Sequence, residues 1–304
     1  MIEVSIIIRA KNEERLIGRA LEVVYAQTRD DLETIVVDSG STDGTLEIVR
    51  GFPARLIQMR PEDFTFGHAL NVGCRAAEGR YGVLLSAHAV PNDRHWLAHL
   101  LGPFVDADVA ATFGSQHGRS DSVATLPRSL SKAMTLTRDN FGPHNAVWGF
   151  NAANAAIRLD LWRRTHFDEQ LPASEDKLWA WRQIQNGYQV VYVPEASVFH
   201  VHELTPQQVY ERAWHEHRAV ADFMPEIEFG LSDVLKGMVR LPRRGLWRDT
   251  EQCAGQSGGM IGRARFLSER LACRFMFYWG LYRGVKDGRA LKAGAQTQPT
   301  RRAT

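Results

Sequence analysis

The chain has 304 residues, of which 44% are hydrophobic and 24% charged, as is ordinary for a soluble globular protein. That length can bury a substantial core, as one large domain or as one domain with an appendage. Three scattered cysteines, Cys74, Cys253 and Cys273, exclude a disulfide framework and a cysteine-based zinc site, and they suit a reducing compartment.

The net charge of +2 conceals an uneven distribution. Residues 240–304 hold 14 Lys and Arg against 4 Asp and Glu, which leaves 23 basic against 31 acidic residues in the rest of the chain. A basic tail favours an anionic partner, such as a membrane surface or nucleic acid, or it is the solvated face of a helix.

The amino terminus carries Glu3 and no basic residue before it, which is not typical of a secretory signal. No apolar stretch approaches the roughly 20 residues needed to span a bilayer. We therefore expect a cytoplasmic protein, either soluble or peripheral on the cytoplasmic face of the inner membrane.

Apolar runs alternate with helically spaced apolar residues along the first third of the chain. Buried strands are predicted at residues 4–8, 34–37, 54–58 and 81–86, and helices at 16–24, 45–50, 69–77 and 96–104. Alternation of this kind predicts a doubly wound α/β sheet with right-handed crossovers. Ligands of such sheets bind beyond the carboxyl ends of the strands, which would gather residues 9–13, 38–42 and 86–91 around one crevice.

The rest of the chain is less regular. Residues 112–170 lack steady periodicity, and they are followed by a predicted helix at 176–186 and a predicted strand at 189–193 that ends at Pro194. From Pro206 onward the pattern is mainly helical, and the last dozen residues have the composition of a disordered tail. We predict a first domain at 1–205, a helical extension at 206–292 and a disordered tail at 293–304.

Asp38 ends the second strand and opens the segment Ser-Gly-Ser-Thr-Asp-Gly-Thr at 39–45. Glycines permit tight turns, and the Asp, Ser and Thr side chains offer hydrogen-bond acceptors and donors to a ligand. The same residue types also suit a turn closed by its own side chains. No GxxxxGK[ST] segment is present, which excludes a phosphate loop of the Walker type.

The segment Ile-Ile-Ile-Arg-Ala-Lys-Asn-Glu at 6–13 and the segment Val-Asp-Ser-Gly-Ser-Thr-Asp-Gly-Thr at 37–45 resemble the opening of glycosyltransferase family 2. Within that family they are most similar to the bacterial rhamnosyltransferase-like branch, and the resemblance covers about residues 3–205. It implies a GT-A fold, which is a Rossmann-like, doubly wound mixed sheet, here with a helical C-terminal extension. It also implies inverting transfer of a sugar from a nucleoside diphosphate to an acceptor hydroxyl, in the synthesis of polysaccharide or glycolipid.

The resemblance also implies a set of donor contacts. In the family, the Asp after the second strand accepts a hydrogen bond from a base N–H, which we carry over to Asp38. The residues placed at the nucleotide sugar are Arg9, Lys11, Glu13, Asp38, Ser41, His68, Asn71, Asn151 and Asn154. Relatives commonly have an arginine at the place of His68. For the asparagines in the segment 149–154, a loop-structuring role is the alternative.

The segment Ser-Ala-His-Ala-Val-Pro at 86–91 departs from the family pattern. Relatives usually have an Asp-containing motif here that holds a divalent cation against the donor diphosphate, and this chain has His88 at the Asp position. Imidazole suits Mn²⁺ better than Mg²⁺, so His88 would ligate a metal, donate a hydrogen bond to phosphate, or merely pack. His200, favoured over His202, is the second candidate metal ligand.

The segment Ser174-Glu175-Asp176 precedes a helical pattern. Locally, Ser174 is predicted to cap the helix, with the acids in the first turn, where the positive helix end favours them. In the family, a Glu-Asp pair at this place contains the catalytic base, which must lie close to the acceptor hydroxyl. The resemblance therefore implies Asp176 as the base and Glu175 as its neighbour in binding or positioning the acceptor.

Aromatic and basic residues interleave between Phe266 and Arg283, which suits an interfacial helix on anionic lipid, or packing on the catalytic domain or a second subunit. The expected partners are a nucleotide-sugar donor, a saccharide or lipid-linked saccharide acceptor and an anionic membrane surface, and not nucleic acid. The alternative function is a non-catalytic nucleotide-sugar-binding or membrane-surface protein that has lost metal-dependent catalysis. A nucleotidyltransferase is disfavoured because residues 9–13 lack glycine.

Overall fold

A computed structural model describes residues 2–117, 133–138, 140, 150–200, 204–224, 227–239 and 259–296. The chain divides into two compact units near residue 202. The first unit contains the described strands, and the described part of the second unit is helical.

Nine strands of the described residues form one mixed sheet. They are β1 (Val4–Ala10), β2 (Leu32–Asp38), β3 (Arg55–Gln58), β4 (Tyr81–Ser86), β5 (Ala89–Pro91), β6 (Val109–His117), β7 (Met134–Leu136), β8 (Asn154–Arg158) and β9 (Gln189–His200). Their order is β3-β2-β1-β4-β8-β6-β9-β5, with β7 paired to β9. β1 is parallel to β2 and β4, whereas β8 is antiparallel to β4 and β6. The predicted mixed α/β sheet is therefore confirmed.

The apolar run in β1 follows from burial on both faces of the sheet. Ile7 belongs to the core cluster on one face, and Ile6 and Ile8 belong to the cluster on the other. All three side chains are fully buried. A central parallel strand has no solvent-facing side, so its sequence shows no alternation between apolar and polar residues.

The carboxyl ends of three neighbouring strands lie side by side. Ala10 is paired with Asp38 at the end of β2, and Arg9 is paired with Ser86 at the end of β4. The polar segments that follow these strands therefore leave the sheet at one edge, as the strand pattern predicts.

Helices cover both faces of this sheet. They are α1 (Ile17–Tyr25), α2 (Thr45–Arg50), α3 (Phe66–Ala76), α4 (Trp96–Leu101), α5 (Leu159–Arg164) and α6 (Glu175–Gln185). α1 and α4 bury apolar side chains in one cluster, and α3, α5 and α6 do so in the other. α3 begins three residues earlier than predicted because Thr65 caps it, its Oγ1 accepting a hydrogen bond from the His68 N–H at 3.0 Å.

β9 continues past Pro194, where the sequence predicts its end. Proline cannot donate to a strand ladder and is normally excluded from a strand interior. Here the register of β6 against β9 shifts between Gly114 and Gln116, opposite the segment that contains Pro194, so that the irregularity accommodates it. β6 and β8 lie in the segment without visible periodicity because nearly all of their residues are buried, many of them small.

The second unit contains α7 (Pro206–Phe223), α8 (Leu231–Val239) and α9 (Gly259–Gln296). α7 begins with a reciprocal cap, in which Thr205 Oγ1 accepts from the Gln208 N–H and the Gln208 side chain accepts from the Thr205 N–H. α9 extends beyond residue 293, the predicted start of the disordered tail, and residues 297–304 lie outside the described part of the chain. None of the described helices combines the length and apolarity needed to cross a bilayer.

Candidate active site

The loops after β1 and β2 are joined through side chains of both sequence motifs. Asn12 has a left-handed backbone with φ 56°. Its N–H donates to Ser41 Oγ at 2.8 Å, and its Oδ1 accepts from the Thr42 N–H at 2.8 Å. The Glu13 N–H donates to Thr45 Oγ1 at 2.7 Å. The hydroxyl-rich segment after β2 therefore holds the first loop in place.

Asp38 is fully buried at the end of β2. Its Oδ2 accepts hydrogen bonds from the N–H groups of Gly40 and Ser41, each at 3.0 Å, and its Oδ1 accepts one from the Ser41 hydroxyl. A carboxylate has about four acceptor positions, so these three bonds leave one for another donor. Asp38 shapes its own loop, and its contact with a nucleobase stays a prediction.

His88 and His200 lie against each other where β5 pairs with β9. Their rings are stacked, with centroids 4.8 Å apart and planes inclined by 11°. His88 Nδ1 lies 2.6 Å from Glu13 Oε1, and His200 Nδ1 lies 2.8 Å from Gln116 Oε1. The contact between His88 and Glu13 confirms that the loops after β1 and β4 meet. His202 lies outside the described residues.

The acidic pair Glu175–Asp176 begins α6 and is buried, with exposed fractions of 4% and 8%. The Asp176 carboxylate is held by two backbone donors, the Ala152 N–H at 2.8 Å and the Lys177 N–H at 2.7 Å. Ser174 precedes the helix in a left-handed conformation, φ 66°, and makes no capping hydrogen bond through its side chain. Ser174 therefore occupies the predicted cap position, with both acids in the first turn, but it lacks the side-chain hydrogen bond of a serine cap. Left-handed residues other than glycine are strained, and they concentrate at functional sites.

Arg9 connects this acidic pair to the end of β1. Its Nη1 lies 3.5 Å from Glu175 Oε1, and its guanidinium lies over the Phe66 ring, 5.1 Å from the centroid. Burial and the neighbouring Asp176 charge raise the pKa of Glu175 to about 7, against the opposing charge of Arg9. Arg9 is thus a partner of the acidic pair. Phe66 is not evident from the sequence, since an aromatic residue at a helix start carries no signal of its own.

The family model described as "Glycosyl transferase family 2" matches residues 5–168, which is more than half of this chain. The chain belongs to glycosyltransferase family 2. The curated relatives of this glycosyltransferase include the O-antigen chain rhamnosyltransferase WbaN of Salmonella anatum, 30% identical over 61% of this chain and 62% of WbaN. They also include the O-antigen chain rhamnosyltransferase RfbN of Salmonella typhimurium, 26% identical over 69% of this chain and 70% of RfbN. These relatives support the rhamnosyltransferase-like branch.

Solved structures show the same fold. The mannosyltransferase PcManGT from Pyrobaculum calidifontis, in complex with GDP-Man and Mn²⁺, superposes with a TM-score of 0.61 at 23% identity, covering 97% of this chain and 88% of its own. TarS 1–349 of S. aureus, in complex with UDP-GlcNAc, superposes with a TM-score of 0.58 at 18% identity, covering 99% and 93%. At these identities the likeness establishes the GT-A fold of this glycosyltransferase.

The Asn71 side chain takes part in four hydrogen bonds within the protein, and its contact with the donor stays a prediction. It is buried on α3, where its Nδ2 donates to the Phe167 carbonyl and to Glu169. Its Oδ1 accepts from the Trp162 indole and from the Phe167 N–H. His68 is directed to the same loop, with Nδ1 2.9 Å from Glu169 Oε2. Both side chains therefore tie α3 to the segment before α6.

Asn154 is likewise buried and fully engaged. Its Nδ2 donates to the carbonyls of Ser115 and Ala196, and its Oδ1 accepts from the Trp96 indole. These bonds join β8 to β6, β9 and α4, and the contact of Asn154 with the donor stays a prediction. Asn151 is half-buried, and its Oδ1 accepts from the N–H two residues on, as the loop-structuring alternative expects.

The stacked histidines do not fit a shared metal ion. The imidazole lone pair lies in the ring plane, so an ion about 2 Å from both nitrogens would have to lie in both planes. Two rings stacked 4.8 Å apart with planes inclined by 11° cannot satisfy this. Within the described residues there is also no group of three or more His, Cys, Asp or Glu side chains arranged for a metal.

Proposed function

We propose that this family 2 enzyme is an inverting glycosyltransferase that moves a sugar from a nucleoside diphosphate to a hydroxyl of a saccharide or lipid-linked saccharide. Rhamnose is the candidate sugar because WbaN and RfbN are O-antigen rhamnosyltransferases. The transfer would take place on the cytoplasmic side of the membrane, as one step in the synthesis of a cell-surface polysaccharide.

The observation that carries this proposal is the ion pair between Arg9 and Glu175. This ion pair connects the end of β1, where we expect the donor nucleotide to bind, with the buried carboxylates of Glu175 and Asp176. A nucleotide-binding loop suffices for a binding protein, whereas carboxylates beside it supply a proton acceptor for chemistry. The pair therefore favours catalysis over binding alone.

In the proposed reaction Asp176 is the general base. The acceptor oxygen attacks the anomeric carbon as its proton passes to the Asp176 carboxylate, and the bond from that carbon to the diphosphate oxygen breaks. Two backbone N–H groups fix the orientation of this carboxylate, which preorganises it for the transfer. Arg9, the exposed Lys11 and His88 are the side chains at this edge suited to the leaving diphosphate.

The decisive variant is Asp176→Asn, which keeps the shape of the side chain and removes its basicity. We expect transfer to fall by about 10²–10⁴-fold, because that is the usual contribution of a general base, while the donor still raises the melting temperature. The matched control is Asp160→Asn, in the first turn of α5, where the carboxylate pairs with Arg158. Near-normal turnover by Asp176→Asn would remove Asp176 from the mechanism.

A non-catalytic nucleotide-sugar-binding protein would behave differently in the same assay. The wild-type chain would then be stabilised by a nucleotide sugar, yet it would neither transfer nor hydrolyse it, with or without EDTA. Donor hydrolysis by the wild type that is lost in Asp176→Asn excludes that alternative.

A further inference from the structure

One face of α9 is committed to packing within the helical unit. Phe277, Leu281 and Val285 are buried. At 100° per residue these three positions share one side of the helix. The opposite side carries four large apolar side chains, here called the aromatic stripe: Leu271, Phe275, Trp279 and Tyr282.

The aromatic stripe is ordered and partly open to solvent. Leu271 and Phe275 are each 43% exposed. The Phe275 and Trp279 rings are stacked with centroids 6.1 Å apart, and the Trp279 and Tyr282 centroids are 5.4 Å apart. The exposed Phe275 and the half-buried Trp279 and Tyr282 thus form one apolar patch, and contiguous apolar patches on a protein surface mark interaction sites.

Charge on the same side of α9 is basic. Lys286 is exposed, and its ammonium lies over the Tyr282 ring at 6.0 Å, whereas the exposed Arg283 is paired with Asp287 at 3.6 Å. Glu269 and Asp287, the acidic residues of α9, are five turns apart and so share one edge, which adjoins Arg283 and not Lys286. In sequence, the segment 240–304 that contains α9 holds 14 basic against 4 acidic residues.

We infer that the aromatic stripe docks the protein on anionic phospholipid, with α9 lying in the plane of the membrane surface. Aromatic side chains favour the boundary between headgroups and acyl chains, and lysine and arginine reach the headgroup phosphates from beside them. A second copy of the chain would also cover the rings, but it would bring the same positive charge to the interface. The excess of basic residues therefore selects a lipid partner.

Cosedimentation of the full-length protein with vesicles tests this inference. Vesicles of phosphatidylcholine with a third phosphatidylglycerol should bind the protein, pure phosphatidylcholine should not, and high salt should weaken the binding. Lys286→Gln should weaken it about fivefold, the usual effect of one basic residue near an anionic surface. Phe275→Ser and the double variant Phe275→Ser/Trp279→Ser should weaken it further.

Matched controls are Lys236→Gln on α8 and Val105→Ser, which changes a side chain that is 95% exposed in the first unit. Both should bind vesicles as the wild type does. The stripe variants should keep their melting temperature and their transfer to a soluble acceptor. Equal vesicle binding by the wild type and Phe275→Ser overturns the inference. A wild type that binds no vesicles but forms a dimer, which Phe275→Ser converts to a monomer, also overturns it.

Discussion

A buried carboxylate beside a second carboxylate makes the stability of this chain depend on pH. The pKa of Glu175 is raised from 4.5 to about 7 by burial and by the Asp176 charge. Because the folded state favours the protonated carboxyl, the stabilisation that this group gives is complete below its unfolded pKa of 4.5. It is lost as the pH rises through the folded pKa of about 7. Because glutamine cannot ionise, Glu175→Gln should gain stability relative to wild type from about pH 5 to pH 8, reaching several degrees in melting temperature.

Thermal denaturation at both pH values measures this difference. Glu22→Gln on α1 is the control, because it removes an exposed carboxylate that pairs with Arg19, and its small effect should be alike at the two pH values. If the difference in melting temperature between Glu175→Gln and wild type does not change with pH, Arg9 keeps Glu175 ionised throughout.

At the residue scale, sequence identifies the ionisable groups better than their partners. Asp38, the acidic pair 175–176 and the two stacked histidines are all at one edge or beside it, as the motifs indicate. The amides are different. Asn71 finds its partners 91 to 98 positions away in sequence, and no local pattern distinguishes a buried structural amide from one that binds a sugar.

Among the elements, the pair α7 and α9 depends on close backbone contact. Three glycines of α9 spaced four residues apart, at 280, 284 and 288, face carbonyl oxygens of α7 that are also four apart, and a Cβ at Gly284 would lie 2.6 Å from the Trp214 oxygen. Alanine favours a helix over glycine by about 1 kcal/mol, but a clash with backbone costs typically 1–3 kcal/mol. We therefore expect Gly284→Ala to lower the melting temperature of the helical unit.

Gly102→Ala is the control for that experiment. A Cβ at Gly102 meets nothing within 4 Å, and its φ of −49° suits alanine. The control should leave the melting temperature unchanged or raise it slightly. Scanning calorimetry compares both variants with wild type. An unchanged transition in Gly284→Ala would mean that the two helices can separate at no cost.

Periodicity predicts β1 to β4 and α1 to α4, because runs of apolar residues there alternate with helically spaced ones, but it does not predict the three-residue strand β5. It does not predict β6 and β8, whose residues are small and buried on both faces. It also ends β9 at Pro194, because the register shift between β6 and β9 is a property of the pair and not of either sequence. The fold class follows from local pattern, and these central strands follow from pairing.

At the scale of the whole molecule, the part of the chain that is expected to bind the donor carries a net negative charge, as the donor does. The residues before 240 carry 23 basic and 31 acidic side chains, and a nucleoside diphosphate is itself an anion. Overall attraction therefore cannot hold the donor, so its affinity must come from the few basic and N–H groups at the strand ends. Composition shows the imbalance, but only the fold shows that Arg9 and His88 reach that edge.

Donor binding should consequently appear as thermal stabilisation by one nucleoside diphosphate among UDP, GDP and dTDP. At 100 times its Kd a ligand stabilises the native state by about 2.7 kcal/mol, which is roughly 5–10 °C for a domain of this size. The geometry of His88 and His200 excludes only an ion shared by both rings, so the same shift measured in EDTA and with Mn²⁺ shows whether a divalent ion takes part in donor binding. Inorganic phosphate at the same concentration is the control. A shift that EDTA abolishes would show that the donor binds together with a divalent ion, whereas no shift with any of the three nucleotides would refute the nucleotide site itself.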